Sequence, residues 1–195
     1  NDSRFYGSRG VLYEQMGQPQ KAIQDHTKSI ELNPWAMAYV GRGRAYSRIN
    51  QYEKAIDDYD VAIRLDPNNM IGYHVRALAH GALNHYEQAM GDWEMAIQLD
   101  PMFAESYFAR AGLYQNQGQY ERALEDYNIA LQLDPTEAKA QTPFVHMGLG
   151  QVFTFLGRYQ DAIGAYDNAI KLLPNDAYLY EERGLVHYMM GQYSK

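Results

Sequence analysis

Five segments of the chain repeat one pattern: IQDHTKSIELNP, IDDYDVAIRLDP, MGDWEMAIQLDP, LEDYNIALQLDP and IGAYDNAIKLLP, ending at Pro34, Pro67, Pro101, Pro135 and Pro174. Successive prolines are 33, 34, 34 and 39 residues apart. A period of this kind constrains the fold more than any composition can. Each unit is too small to bury its own apolar face, so neighbours must stack in a quasi-one-dimensional array. The longer last spacing places an insertion at about 136–142.

Inside each unit, apolar and aromatic residues recur twice at helical spacing, which predicts two amphipathic helices, A and B. Helix A closes at Gly17, Asn50, Asn84, Gly118, Gly157 and Gly191. Only glycine and asparagine fill that slot, and both tolerate the left-handed conformation that ends a helix. Helix B ends at the proline series, because proline cannot continue a helix. Small residues mark where helix backbones approach: Gly10, Gly43, Ala77, Ala111, Gly150 and Gly184 on helix A, and Ala22, Ala55, Ala89, Ala123 and Ala162 on helix B. Tyrosines fall at fixed slots too, with Tyr6, Tyr39, Tyr73, Tyr107 and Tyr180 near the start of helix A, and Tyr52, Tyr86, Tyr120, Tyr159 and Tyr193 opening helix B.

This order of aromatic, small residue, Gly or Asn, Tyr, Ala, aromatic, small residue and Pro resembles the tetratricopeptide repeat. The resemblance covers repeats at about 3–35, 36–69, 70–103, 104–137 and 143–176, with a partial sixth at 177–195. It implies an all-α fold, a right-handed superhelical solenoid of helix-turn-helix repeats spanning 1–195 as a single array. It also implies that helix A residues line a concave groove that holds a peptide or helix of a partner protein.

Comparing repeats exposes one charge pairing. Arg9, Arg42, Arg76 and Arg110 share a helix A slot, and Asp25, Asp58, Asp92 and Asp126 share a helix B slot. In the fifth repeat both charges are lost together, leaving Leu149 and Ala165, so the pair is read as a bridge across each hairpin rather than an anion-binding ladder. Arg183 is expected to lack a partner, since the helix B that would supply its aspartate falls beyond the sequence.

Composition removes several function classes. The formal charge is −7, which argues against a phosphate-backbone partner. Without cysteine there is no thiolate metal site or thiol nucleophile. No apolar run approaches the roughly 18 residues of a membrane span. Gly148-Leu149-Gly150 is a glycine fragment inside a helix, and the histidines lack metal-ligand spacing; His26, His80, His146 and His187 occupy framework aromatic slots. The sequence therefore reads as non-enzymatic, with no catalytic residue, cofactor or metal.

The helix A slots left over from the framework are expected to face the groove. They include Val40 and Arg44 in repeat two, Ile71, His74 and Leu78 in repeat three, and Phe108 in repeat four. Phe144, Met147 and Gln151 follow in repeat five, and Tyr178 and Tyr188 in the partial sixth. Exposed apolar residues gathered in this way mark interaction sites. The lysines and asparagines of the family's chaperone-tail clamp are missing from these slots, and so is the asparagine ladder of its sugar-transferase relative. The expected function is a scaffold binding a protein or peptide partner, with no nucleic acid. Two other readings stand beside it: a targeting or regulatory module of a larger enzyme, and a homo-oligomer built by stacking the uncapped last helix through Leu185, Tyr188 and Met189. A longer array is expected, because a solenoid end needs a polar outer face. The compartment is not fixed by the sequence; the cytoplasm is the expected one, with the periplasm as the alternative where a signal peptide has been removed.

Overall fold

The computed structural model describes residues 2–133 and 142–191, and every element among them is an α-helix. The insertion expected at about 136–142 lies outside the described residues, except for Thr142. The A helices are α1 (Ser3–Gln15), α3 (Ala36–Ser47), α5 (Met70–Ala82), α7 (Ala104–Asn116), α9 (Thr142–Phe155) and α11 (Ala177–Met189). The B helices are α2 (Pro19–Leu32), α4 (Tyr52–Leu65), α6 (Tyr86–Leu99), α8 (Tyr120–Leu133) and α10 (Tyr159–Leu172). They gather into two compact units, Asn1–Pro101 and Met102–Lys195.

Each A helix is followed by a residue in the left-handed region. Asn50 and Asn84 have φ of 58° and 61°, and Gly17, Gly118, Gly157 and Gly191 lie between 67° and 72°. At this geometry the next amide bonds back across the turn. Gln51 N donates to Tyr46 O at 3.0 Å and Gln119 N to Tyr114 O at 2.9 Å, which satisfies helix-terminal carbonyls.

The alanines predicted to seat the backbones, Ala22, Ala55, Ala89, Ala123 and Ala162, are fully buried. The central ring of each B helix, namely His26, Tyr59, Trp93, Tyr127 or Tyr166, is buried as well. Glycine makes the room. A Cβ on Gly43 would stand 2.4 Å from the Tyr59 ring, and one on Gly150 would stand 2.8 Å from Tyr166. Two rings also press on the A helix of the following repeat, His26 against Gly41 and Tyr127 against Gly148.

The four Arg–Asp bridges are present. Arg9 with Asp25, Arg42 with Asp58, Arg76 with Asp92 and Arg110 with Asp126 are each held by two hydrogen bonds of 2.6–2.9 Å. Each guanidinium also lies 5.4–5.8 Å from the first framework tyrosine of its own helix A, Tyr6, Tyr39, Tyr73 or Tyr107. In the fifth hairpin, Leu149 and Ala165 are buried in one apolar cluster with Tyr127, Val145 and Val152. An apolar pair replaces an ion pair there without leaving a lone buried charge.

The expectation for Arg183 is corrected. Its Nη1 bonds Oδ1 of Asp167, sixteen positions earlier on the preceding B helix. The arginine slot thus reaches in two directions, and Arg183 uses the one that needs no sixth B helix.

Candidate functional site

The predicted binding residues divide by how much surface they keep. In the N-terminal unit, Val40 is only 1% exposed and His74 is buried, so both serve the packing between helices and offer a partner almost no surface. Ile71 is half-buried. Arg44 and Leu78 remain exposed, Leu78 at 48%. Burial drives the His74 imidazole down to a pKa of about 4, since a charged ring there would lose its hydration.

Arg44 is also held from below. Its Nε lies 3.5 Å from Oε2 of Glu14, a buried carboxylate whose other oxygen accepts a 2.9 Å hydrogen bond from His26 Nε2. His26 replaces the tyrosine of the B helix, and Glu14 gives its ring nitrogen a partner in the dry interior.

In the C-terminal unit the predicted residues stand on the A helices, where Gln151 and Tyr178 are in contact. Phe108 is half-buried, its ring 6.0 Å from that of Tyr127. Phe144, 45% exposed, and half-buried Met147 stand on α9, and exposed Tyr178 and Tyr188 on α11. Gln151 lies between these helices in a line of hydrogen bonds. Tyr127 Oη donates to Gln115 Oε1 at 2.9 Å, Gln115 Nε2 to Gln151 Oε1 at 2.7 Å, and Gln151 Nε2 to Tyr178 Oη at 3.0 Å. The Glu182 carboxylate accepts from Tyr166 Oη at 3.3 Å. Burial pushes the Tyr127 phenol up to about 12; burial first and then Glu182 raise that of Tyr178.

Gln115 occupies one of the leftover helix A slots expected to face the groove, and a second signal for it exists. A polar residue stands twelve positions before the polar ring of its B helix in Glu14–His26, Ser47–Tyr59 and Gln115–Tyr127, and each pair is hydrogen-bonded. The third repeat breaks the rule with Gly81 and Trp93, and the Trp93 indole nitrogen is buried with no partner among the described residues.

The tetratricopeptide repeat model matches residues 3–35, 36–69 and 104–137, more than half of the chain, and a second model of the same repeat matches 150–191. The chain belongs to the tetratricopeptide repeat family. No curated protein sequence matches it. Among solved tetratricopeptide-type folds, the crystal structure of the APC/C hetero-tetramer Cut9–Hcn1 aligns with a TM-score of 0.86 at 20% identity, over 98% of this chain and 37% of that one. The pilF protein of Pseudomonas aeruginosa gives 0.86 at 18% identity, over 97% and 85% of the two chains. YrrB, described as a tetratricopeptide protein with an unusual peptide-binding site, gives 0.68 at 20% identity over 90% and 89%. At these identities the likeness establishes the fold. Among the described residues, no helix is long and apolar enough to cross a membrane.

Proposed function

We propose that the protein is a non-enzymatic interaction scaffold that holds a peptide or an amphipathic helix of a partner protein against the exposed side of its A helices. The observation that carries this reading is the combination on α7, α9 and α11 of exposed aromatic surface at Phe144, Tyr178 and Tyr188 with an ordered line of polar groups through Gln115 and Gln151. A few polar groups placed within an apolar lining give orientation, while the apolar surface gives affinity. Arg44, Ile71 and Leu78 form the corresponding surface of the N-terminal unit. Tetratricopeptide folds generally serve as non-enzymatic scaffolds for protein partners, which supports the same reading.

The test is site-specific photo-crosslinking in the source cells, with a benzophenone amino acid at Phe144, at Leu78 and, as a control on the exposed side of a B helix, at Gly91. Adducts to one partner from Phe144 and Leu78 but not from Gly91 are expected. Adducts confined to Gly91 would move the interaction to the B helices and end the proposal.

Self-assembly is a second reading, favoured by the exposure of Leu185, Tyr188 and Met189 on α11. A mass by light scattering that stays monomeric at high concentration removes it.

A further inference from the structure

The hydrogen-bond line across the C-terminal unit leaves an unused remainder. Tyr127 is buried, and its hydroxyl donates to Gln115. A tyrosine hydroxyl, able to donate or accept, closes the line at each end, and the two amides bond to each other between them. An amide nitrogen carries two hydrogens. Gln115 uses one on Gln151, and Gln151 uses one on Tyr178, so each keeps a second donor, and each amide oxygen keeps a second lone pair. Both glutamines are half-buried, held in place before any ligand arrives.

A donor and an acceptor at fixed positions suit a group that offers both in return. The main chain of an extended peptide does so. A helix does not, because its own N–H and C=O groups are already paired internally.

The charges on the same side of these helices have one sign. Glu105 on α7 and Glu181 and Glu182 on α11 are carboxylates with some exposure. The arginines of these A helices are committed elsewhere, Arg110 to Asp126 and Arg183 to Asp167. A partner seated here meets exposed apolar surface at Phe144 and Leu185 under a negative field.

We propose that this face of the C-terminal unit takes an extended, cationic and apolar segment of its partner, read through its main chain by Gln115 and Gln151 and selected for Lys or Arg by Glu105 and Glu181. This rests on the peptide-binding reading above and narrows it. Alternate side chains of the extended segment point at the helices, and these supply both the apolar residues that reach Phe144 and Leu185 and the basic residues that meet the carboxylates, while those between them point to solvent.

Fluorescence anisotropy with the full chain tests it. The probes are fluorescein-labelled peptides of equal length with identical Leu and Phe positions and a central Pro that bars helix formation. One carries Lys at the remaining positions and the other Glu; a third repeats the Lys sequence without Pro, stapled as a helix. At low salt the extended Lys probe is expected to bind about tenfold tighter than the Glu probe, and the gap should narrow as salt rises. Glu105→Gln with Glu181→Gln should close most of that gap, and Gln151→Leu, with helical content unchanged, should weaken the extended probe more than the stapled one.

Equal binding of Lys and Glu probes would overturn the charge selection, and tighter binding of the stapled probe would overturn the main-chain reading; in both cases peptide binding itself survives. No binding by any probe would remove this inference together with the peptide-binding function.

Discussion

Arg76 Nη1 lies 2.6 Å from Oδ1 of Asp60, sixteen positions back in the preceding hairpin, while its other nitrogens grip Asp92, sixteen positions ahead in its own. One side chain therefore closes a hairpin and ties it to the one before. The two carboxylates are not equivalent. The Asp92 side chain is 8% exposed and that of Asp60 is 40% exposed.

Asp92→Ala should destabilise the protein by about 1 to 3 kcal/mol, because it leaves a partly buried guanidinium short of its main acceptor. Asp60→Ala should cost less than about 1 kcal/mol, as solvent screens that pair. Urea titrations of both variants, each paired with Arg76→Ala in a double-mutant cycle, measure the two couplings separately.

Stability should fall on mild acidification because of His74. Its folded pKa of about 4 is below the ordinary 6.5, so below pH 6.5 the unfolded chain takes up a proton that the folded chain refuses. The loss begins as pH drops through 6.5, amounts to about 2 kcal/mol by pH 5, and levels off below pH 4. His74→Leu should remove that component, so the difference between variant and wild type across this window, read by denaturant midpoints, isolates it. An unchanged slope would show that His74 ionises freely in the fold.

Two glycine substitutions should act in opposite directions. A Cβ at Gly148 would lie 2.5 Å from Cζ of the buried Tyr127 ring, so Gly148→Ala should cost about 1 to 3 kcal/mol by overpacking. At Gly91, inside α6, a Cβ meets nothing within 4 Å, and Gly91→Ala should add about 0.5 to 1 kcal/mol through better helix propensity. Thermal unfolding distinguishes them by the sign of the shift.

Tyr127 should keep its proton late in an alkaline titration. Its folded pKa of about 12 lies above the ordinary 10, so its contribution to stability is complete below pH 10 and is lost as pH rises toward 12. Phenolate absorbance of wild type minus that of Tyr127→Phe should show a single step near the upper value. The same variant, lacking the hydroxyl that orders Gln115, should lose about 0.5 to 1.5 kcal/mol.

Much of this protein is written in its local sequence. The proline period, the Gly or Asn slot with φ above zero and the fixed alanines each act within one hairpin, where a helix end or a close backbone approach admits few residue types. Even the Arg–Asp bridges emerge by comparing repeats, since both charges disappear together at Leu149 and Ala165.

What helical spacing could not decide is which face of helix A a neighbour covers. Val40 and Phe144 both occupy slots read as binding surface, yet the first is 1% exposed and the second 45%. The difference arises from packing against other helices, which the spacing within one helix does not encode. Arg183 finds Asp167 and Gln115 finds Gln151 for the same reason: these side chains meet only when consecutive hairpins stack. The sequence alone determined the repeated unit and its turns, because those depend on short-range sterics and helix termination. The tertiary structure alone decided which side chains stayed exposed and which polar groups joined into one line, because burial and hydrogen bonding between repeats depend on how far each helix is displaced from the next.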